Sequence, residues 1–315
     1  MQTSAGVNAS HQKFNDRRVS NVFRPGDHCQ TSCHTGIAGR IVSVDHYENF
    51  PVASLLCPPA LRPAVVAIYH FARTADDLAD EGNASTAERV QALRDYRAEL
   101  TAAGNGRPVS PRWASVFTPL AREMYRLQPA LLHDLLDAFE QDLIPPRYLD
   151  RAHLLDYCRR SANPIGRLLL GLYGVDDEVS LRRSDAICSA LQLINFWQDF
   201  TRDGPNGRLY VPQTDLDAHG VSAEAVLACQ DSPAARGLVR DLCIWARALM
   251  LEGAPLALSL PGRAGWELRL VVQGGLIILD KIAAGGHDSL LRRPRVSGRD
   301  LPRLTWRALT MRATS

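Results

Sequence analysis

Four polar side chains recur at helical spacing within residues 191–212. They are Gln192, Asn195, Asp199 and Asp203, which follow one another at intervals of three, four and four residues. At about 100° per residue they share one narrow stripe of a helix. The residues between them are mostly apolar or aromatic, so the helix is predicted to be buried, and a buried acidic stripe is costly unless a cation neutralises it. Donors that are all oxygen favour Mg²⁺ over zinc.

A second polar stripe lies within residues 69–80. It consists of Tyr69, Arg73, Asp76 and Asp80, at intervals of four, three and four residues. Two helices with carboxylates one turn apart could face each other across a cavity and hold several Mg²⁺ ions, which would neutralise a departing diphosphate. Either stripe alone would also suit a solvated helix face or a capping cluster. The presence of both favours the metal site.

These stripes make the chain similar to a known family. Three motifs resemble those of the squalene/phytoene synthase family of head-to-head prenyl synthases, namely Asp76-x-x-x-Asp80, Asn195-x-x-x-Asp199-x-x-x-Asp203 and Arg208-x-Tyr210-x-Pro212. Within the family, four segments are most similar to the hydroxysqualene synthase branch of the bacterial hopanoid pathway: HYENFPVAS, FARTADDLADEG, SANPIGRLLL and NFWQDF. The resemblance covers residues 45–305.

The resemblance implies an all-α isoprenoid synthase fold, a single helical domain around a central cavity with both acidic stripes at its mouth. It implies Mg²⁺ as the cofactor, held by Asp76, Asp80, Asn195, Asp199 and Asp203. The implied catalytic residues are the four aspartates of this set together with Tyr69. The implied substrate-binding residues are Asn49, Phe50, Arg73, Tyr157, Asn163, Gln192, Gln198, Arg208, Tyr210 and Arg295. The three arginines of this set are expected to contact diphosphate oxygens. The aromatic residues Phe50 and Tyr157, together with the catalytic Tyr69, are expected to line the cavity.

The implied reaction is ionisation of a polyisoprenoid diphosphate. It leaves a carbocation in a water-poor pocket, where aromatic faces and carbonyl dipoles stabilise positive charge. In the hydroxysqualene branch the substrate is presqualene diphosphate, and capture of the cation by water gives hydroxysqualene. Two alternatives stay open: a presqualene diphosphate, squalene or phytoene synthase, and an assembly factor that keeps the fold without catalysis. Two intact acidic stripes favour an enzyme.

Two positions depart from the pattern of many family members. Gln198 stands where an arginine precedes the aspartate of the second motif, and Gly275 stands where a tyrosine lies five residues before Asp280. We expect the loss of a cation and a phenol to disfavour condensation of two diphosphates and to leave room and a polar amide for water. That Gln198 positions this water is a hypothesis.

The elements that must position these residues are predicted to be helices. Apolar residues at 3–4 spacing predict helices near residues 60–80, 86–103, 111–127, 129–142, 150–173, 178–201, 221–229, 231–259 and 264–284. Pro164 and Gly166 predict a kink in the helix of residues 150–173, which would present Asn163 to the cavity. The glycine- and proline-rich residues 204–207 predict a mobile loop that orders when diphosphate binds.

Length and composition bound the remaining properties. A chain of 315 residues with 46% apolar content can bury one large core, here residues 45–305, between a disordered extension at 1–44 and a C-terminal tail at 306–315. A net charge of +2 gives no indication of a nucleic-acid partner. No apolar run reaches the about 18 residues of a membrane span and no signal peptide is recognisable, so we expect a cytoplasmic protein. Because the implied product is a hydrophobic lipid, loose association with a membrane surface and contact with other hopanoid-pathway enzymes stay open.

The sequence contains seven cysteines, most of them in apolar helical contexts. They are predicted to be reduced thiols that pack as small hydrophobes. The cluster His28-Cys29-x-x-x-Cys33-His34 has the residue types of a zinc site, but no neighbouring apolar residues would anchor it. We therefore expect no metal there.

Overall fold

The computed structural model describes residues 57–144 and 146–312. Within these ranges the protein is α-helical and contains no β-strand, which confirms the predicted all-α fold. The described residues form fourteen α-helices joined by short loops and 3₁₀ turns. In chain order they are α1 (Arg62–Asp80), α2 (Thr86–Gly104), α3 (Ala114–Glu123), α4 (Pro129–Asp142), α5 (Arg151–Ser161), α6 (Asn163–Leu172), α7 (Glu178–Gln198), α8 (Phe200–Asp203), α9 (Gln213–His219), α10 (Ala223–Leu227), α11 (Pro233–Gly253), α12 (Leu256–Ser259), α13 (Gly262–Ala284) and α14 (Leu301–Leu309).

Local signals in the sequence set several helix boundaries. The Ser85 hydroxyl accepts a hydrogen bond from the Glu88 amide at 3.3 Å, and the Ser85 amide donates to the Glu88 carboxylate at 2.7 Å, so α2 begins with a capping box. The predicted kink separates α5 from α6 at Ala162, whose φ of −124° and ψ of −47° leave the helical region. Pro164 then occupies the first turn of α6, where its missing N–H costs no hydrogen bond.

Other boundaries differ from the prediction. Helix α7 ends at Gln198 because Asp199, with φ −104° and ψ 14°, departs from helical geometry, although the Asp203 amide still donates to the Asp199 carbonyl at 2.9 Å. Residues 204–206, predicted to be a mobile loop, form a 3₁₀ turn. The prediction did not include α9 or α14, and α14 extends into the segment predicted as the C-terminal tail.

The buried face of α1 leaves its polar stripe on the opposite side. Buried positions recur along α1 at helical spacing, and Phe71 among them stacks on Tyr96 of α2 with ring centroids 5.3 Å apart. Tyr96 in turn packs on Phe117 of α3 at 4.7 Å. This apolar cluster joins α1 to α2, α3, α4 and α6, while a second cluster surrounds α7, α11 and α13. Both acidic motifs are therefore built on helices that are fixed by packing.

Among the residues that the structure describes, one helical segment could cross a membrane by length and composition. It is Pro233–Ser259, with a mean hydropathy of 1.3 and 44% of its apolar window buried inside the protein. The sequence prediction recognised no such segment. Leu242, Ala246 and Met250 of α11 are fully buried and belong to the cluster around α7. These are the contacts of a core helix, whose apolar character serves packing.

The five cysteines in the described ranges are free thiols, and four of them are buried. Burial raises the pKa of the Cys188 thiol to about 12. Such a thiol stays protonated and packs as a small apolar group, as predicted. Cys29, Cys33 and their neighbouring histidines lie outside the described residues.

Candidate active site

A largely apolar cavity of about 260 Å³ lies between α1, α6, α7, α12 and α13. A central cavity of this character agrees with the prediction. Its wall includes few polar side chains, among them Tyr69, Tyr173, Ser184 and Glu267. The apolar part of the wall is formed mainly by Val65, Ile68, Ala72, Ile165, Leu169, Leu170, Ile187, Leu256, Leu260, Leu268 and Val271.

Both acidic motifs continue the cavity wall along their helices. On α1, Asp76 follows the wall residue Ala72 by one turn, about 6 Å along the axis, and Asp80 follows one turn later. On α7, the wall residue Cys188 is followed on the same face by Gln192 and Asn195. Between residues 186 and 200, these two are the positions that are not fully buried. The polar stripes therefore open at one end of the apolar cavity.

Arg208 joins the two acidic motifs. Its guanidinium donates two hydrogen bonds to the Asp80 carboxylate, one of them 3.0 Å long, and these bonds raise the pKa of Arg208 above its ordinary value. Its backbone amide donates to the Asp203 carbonyl at 3.0 Å. Asp80 and Asp203 therefore lie on the same side of the molecule, which is the arrangement that a shared metal site requires.

Two other motif carboxylates also face arginine. Arg293 Nη2 donates to Asp199 at 2.9 Å, and both side chains are only 11% exposed. Arg73 Nη1 donates to Asp76 at 3.0 Å. In the described part of the chain, no three His, Cys, Asp or Glu side chains converge closely enough to hold a metal ion. The carboxylates are thus paired with guanidinium groups rather than gathered around one point.

The donor set fits a divalent cation. Burial and, to a smaller extent, the charge of Asp199 raise the pKa of the Asp203 carboxyl to about 7, against the opposing effect of Arg208. A carboxyl pKa raised by a neighbouring carboxylate marks an excess of negative potential, which a bound cation would relieve. Carboxylate oxygens on two facing elements are ligands that Mg²⁺ prefers.

Comparison with known proteins decides the family. The model of the squalene/phytoene synthase family matches residues 44–300. The chain belongs to the squalene/phytoene synthase family. It is 34% identical to a hydroxysqualene synthase of Rhodopseudomonas palustris over 226 residues, which cover 71% of this chain and 75% of that protein. It is 32% identical to a hydroxysqualene synthase of Sinorhizobium fredii over 251 residues, covering 79% and 83%.

A solved structure extends this comparison to the fold. The squalene synthase HpnC of Alicyclobacillus acidocaldarius is 37% identical, with a TM-score of 0.70 that covers 77% of this chain and 90% of that chain. The predicted squalene/phytoene synthase family and isoprenoid synthase fold are both confirmed. Enzymes of the squalene/phytoene synthase family process prenyl diphosphates and release diphosphate, so the predicted enzyme class is confirmed as well.

A half-buried carboxylate that the sequence analysis missed lies beside the acidic motifs. Asp142, the last residue of α4, accepts hydrogen bonds from the Tyr157 hydroxyl at 2.7 Å and from the Tyr210 hydroxyl at 3.4 Å. Burial raises the pKa of Asp142 to about 6, although the hydrogen bond from Tyr157 and the charge of Arg208 lower it. In the sequence it is a single aspartate at a helix end, a pattern that also suits a surface residue.

Two tyrosines expected to contact substrate belong to an aromatic cluster instead of the described cavity wall. Tyr210 stacks on Phe196 with ring centroids 3.9 Å apart and an angle of 5° between the rings. Tyr157 packs on Phe196 at 6.2 Å and on Tyr148 at 5.7 Å. Tyr157 and Tyr210 are both buried, so they support Asp142 from the protein interior. Of the aromatic residues predicted to line the cavity, Tyr69 does so.

Arg295 lies in the connection between α13 and α14, and Gln198 at the end of α7 contacts that connection. The buried Gln198 amide nitrogen donates to the Pro294 carbonyl at 2.6 Å and so holds the segment that carries Arg293 against the end of α7. The Lys281 ammonium donates to the Arg295 carbonyl at 2.8 Å, and the Arg295 side chain is exposed. Arg293, which the sequence analysis did not select, meets Asp199. Water positioning by Gln198 stays a prediction, which the product of a Gln198→Arg variant would test.

Asn163 and Gly275 both lie where helices pack closely against each other. Asn163 accepts a hydrogen bond from Ser189 at 3.0 Å and joins α6 to α7 within the buried core. A Cβ on Gly275 would lie 2.9 Å from Met250 and 3.2 Å from Ile194 and Leu191. The expectation that this glycine leaves room for water was wrong, because neighbouring apolar side chains fill the space. Asn49 and Phe50 lie outside the described residues.

Proposed function

We propose that this chain is a hydroxysqualene synthase of squalene and hopanoid biosynthesis. It ionises presqualene diphosphate with the help of Mg²⁺ and captures the resulting cation with water, giving hydroxysqualene and diphosphate. Relatives of that name at 34% and 32% identity support the choice of reaction. The structural observation that carries it is Arg208, which links Asp80 to the Asp203 backbone at the polar end of an apolar cavity.

We assign Mg²⁺ to the two acidic motifs. The proposed ligands are Asp76, Asp80, Asn195, Asp199 and Asp203. Bound there, Mg²⁺ would neutralise the diphosphate and stabilise it as a leaving group. Arg208 and Arg293 already present guanidinium groups to carboxylate oxygens, and each can exchange them for phosphate oxygens in the same paired geometry.

The apolar cavity holds the isoprenoid chains. Removal of each CH₂ group from water contributes about 0.8 kcal/mol, so the long chains supply much of the binding free energy. The same wall keeps bulk water from the cation, while Tyr69 offers an aromatic ring at the polar end. Capture by water must then occur near the polar stripe, where Gln192 and Asn195 are part-exposed. We further propose a cytoplasmic location.

Product analysis without any reductant tests the proposal. Purified protein is incubated with Mg²⁺ and either presqualene diphosphate or farnesyl diphosphate, and the lipid product is identified by mass. We expect a triterpene alcohol from presqualene diphosphate alone. Formation of presqualene diphosphate from farnesyl diphosphate would instead assign the chain to presqualene diphosphate synthases. Release of diphosphate from neither substrate would favour an assembly factor without catalysis.

A further inference from the structure

Besides the side that packs on the protein, helix α14 has an apolar face that is exposed to solvent. At about 100° per residue, Pro302, Trp306 and Leu309 fall within about 60° of one another around the helix. Trp306 is 66% exposed and Leu309 is 55% exposed, whereas Ala308 on the packed side is fully buried. We call Pro302, Trp306 and Leu309 the α14 face. Exposed apolar side chains that adjoin one another on an anchored helix form a candidate interaction site.

The helix is anchored, so this exposure is not that of a detached terminus. Asp280 of α13 accepts hydrogen bonds from Arg303 at 2.8 Å and from Arg307 at 2.7 Å. At the start of α14, Asp300 pairs with Lys281 of α13 at 2.7 Å. Three polar groups on α14 and the turn before it, Asp300, Arg303 and Arg307, thus fix its orientation on α13, and the α14 face points away from the core.

The anchoring cluster carries surplus positive charge. Asp280 also accepts a hydrogen bond from Arg247 of α11 at 2.7 Å, so three guanidinium groups share one carboxylate. Burial opposes ionisation of Asp280, yet the hydrogen bonds from Arg247 and Arg307 hold its pKa below its ordinary value. Two positive charges therefore remain in excess at neutral pH. The exposed Arg299 and Arg312 flank α14 on either side.

The same cluster connects the α14 face to an apolar strip on α11. Ile244 is 59% exposed and Leu251 is 42% exposed, and Arg247 lies between them on one helix face. Because Arg247 and the α14 arginines meet at Asp280, the two apolar surfaces border one basic cluster. Exposed tryptophan and leucine beside arginine is the composition of a surface that enters the headgroup region of a bilayer.

We propose that the α14 face, the arginines around Asp280 and the flanking Arg299 and Arg312 form a docking site for a lipid bilayer with anionic headgroups. Tryptophan inserts at the boundary between headgroups and acyl chains, and each arginine near an anionic surface adds further attraction. The purpose of docking rests on the proposed function, because substrate and product with long isoprenoid chains partition into bilayers. The charge surplus favours an anionic bilayer over an apolar groove of another protein.

Vesicle sedimentation with the full chain tests the docking site. Vesicles of phosphatidylcholine with phosphatidylglycerol are compared with vesicles of phosphatidylcholine alone. We expect binding to the anionic vesicles, and weaker binding as NaCl rises from about 0.1 M to about 1 M, since the Debye length falls from about 10 Å to about 3 Å. The Trp306→Ser/Leu309→Ser double variant should bind about thirtyfold more weakly because it loses most of the inserted apolar area.

Two further variants separate the face from general surface effects. Arg299→Glu/Arg312→Glu should weaken binding to anionic vesicles about tenfold or more and leave binding to neutral vesicles unchanged. Tyr125, which is 82% exposed elsewhere, provides the matched control, and Tyr125→Ser should bind as the original chain does. Equal binding by the original chain and the Trp306/Leu309 variant would overturn the proposal, as would absence of binding to anionic vesicles.

The outcome is distinguishable from failure of the proposed function. Turnover of detergent-dispersed presqualene diphosphate should be the same in all these variants, because none of the changed residues lines the cavity. If the protein forms product but does not bind vesicles, the docking site is overturned and the proposed reaction stands. If it binds vesicles but forms no product, the proposed reaction is overturned and the docking site stands. A dimer that the Trp306/Leu309 variant abolishes, without vesicle binding, would assign the face to a second copy of the chain and overturn the bilayer.

Discussion

Asp76, Asp80 and Asp199 each hold an arginine side chain where the proposed reaction needs a metal ion. The Asp76 and Asp80 pairs are partly exposed and contribute about 0–1 kcal/mol each, so a divalent cation can displace their guanidinium groups at little cost. Displaced arginines then become available for phosphate oxygens. The arginines therefore neutralise the carboxylates while the site is empty. When the metal ion and diphosphate bind, the carboxylates bind the metal ion and the arginines bind phosphate oxygens.

Removal of the Asp203 charge should stabilise the empty protein and abolish the reaction. A folded pKa of about 7 against an ordinary 3.8 means that ionisation of Asp203 costs stability, with the loss developing between about pH 4 and pH 7. At pH 8, Asp203→Asn should therefore raise the free energy of unfolding by up to about 4 kcal/mol. Turnover should fall by about 10²-fold or more because a metal ligand is lost.

Urea unfolding at pH 8 without metal and steady-state turnover at several Mg²⁺ concentrations measure these effects. Asp203→Ser serves as a comparison, because it also removes the charge but shortens the side chain. An Asp203→Asn protein that is less stable than the original and fully active would contradict both the burial argument and the metal assignment.

In a lower pH range than ionisation of Asp203, ionisation of Asp142 should also make the free energy of unfolding depend on pH. Its folded pKa of about 6 lies above the ordinary 3.8, so the folded state binds more protons than the unfolded state between these values. The free energy of unfolding should therefore fall as the pH rises from about 4 to about 6. Asp142→Asn should remove this fall, which is worth about 3 kcal/mol.

Tyr157→Phe distinguishes this explanation from a general pH effect. The Tyr157 hydroxyl donates to Asp142 at 2.7 Å and favours the ionised carboxylate. Its removal should shift the fall in stability to higher pH, opposite to the effect of Asp142→Asn. Urea midpoints between pH 4 and pH 8 give both results, and identical pH profiles in the two variants would exclude Asp142 as the titrating group.

At the scale of elements, the sequence predicted what depends on local pattern. Helical spacing places the stripe of α1 opposite its buried face, Ser85 and Glu88 begin α2, and Pro164 marks the break before α6. Contacts between distant segments could not be predicted in this way. Arg293 meets Asp199 across 94 residues, and one of several arginines nearby in sequence could have filled that place.

Asp142 and Tyr157 show the same limit. They are 15 residues apart and on different helices, so their hydrogen bond depends on how α4 and α5 pack. Burial of a lone aspartate has no periodic signal, because one polar residue at a helix end is equally compatible with solvent. The missed α14 is only nine residues long, so its sequence contains few repeats of any helical period.

Gly166 should be essential for the packing of α6 on α7. A Cβ at this position would lie 2.4 Å from the Ser184 hydroxyl and 2.6 Å from the Cys188 sulfur, both of which line the cavity. Gly166→Ala should therefore destabilise the protein by about 1–3 kcal/mol, because overpacking outweighs the better helix propensity of alanine. It should also raise KM by narrowing the cavity.

Gly171 of the same helix is the matched control. Nothing lies within 4 Å of a Cβ built there, so Gly171→Ala should stabilise the protein by about 0.5–1 kcal/mol and leave KM unchanged. Chemical denaturation of both variants measures the change in the free energy of unfolding, and steady-state turnover measures the change in KM. Stabilisation by both substitutions would show that α6 and α7 are not in the close contact that the structure shows.

At the scale of the whole molecule, the acidic motifs connect two apolar clusters. Helix α1 belongs to the cluster of α2, α3, α4 and α6, while α7 belongs to that of α11 and α13. Arg208 joins the end of α1 to the segment after α8, and Arg293 joins the segment after α13 to the end of α7. A ligand that binds between the motifs therefore stabilises contacts across the molecule.

Mg²⁺ and diphosphate should consequently bind with positive coupling. Mg²⁺ alone must displace Arg208 and Arg293 from carboxylates, and diphosphate alone meets a site rich in negative charge. When both ligands bind, diphosphate receives the displaced arginines, and Mg²⁺ neutralises the negative charge that diphosphate would otherwise meet. Each ligand therefore strengthens binding of the other, and such coupling is reciprocal. We expect their joint effect on Tm to exceed the sum of the separate shifts by about 5 °C, which corresponds to about 2–3 kcal/mol for a chain of this size.

Thermal unfolding with Mg²⁺, with pyrophosphate and with both measures this coupling. Arg208→Gln should keep or increase the response to Mg²⁺ alone, because the Asp80 carboxylate remains and no guanidinium has to be displaced from it. The variant should lose most of the additional shift, because a phosphate ligand is missing. Arg236, which pairs with Asp231 on a different part of the surface, provides a control in which Arg236→Gln leaves the coupling unchanged. A full shift with Mg²⁺ alone, undiminished in Arg208→Gln, would mean that these arginines are structural ion-pair partners and do not bind diphosphate.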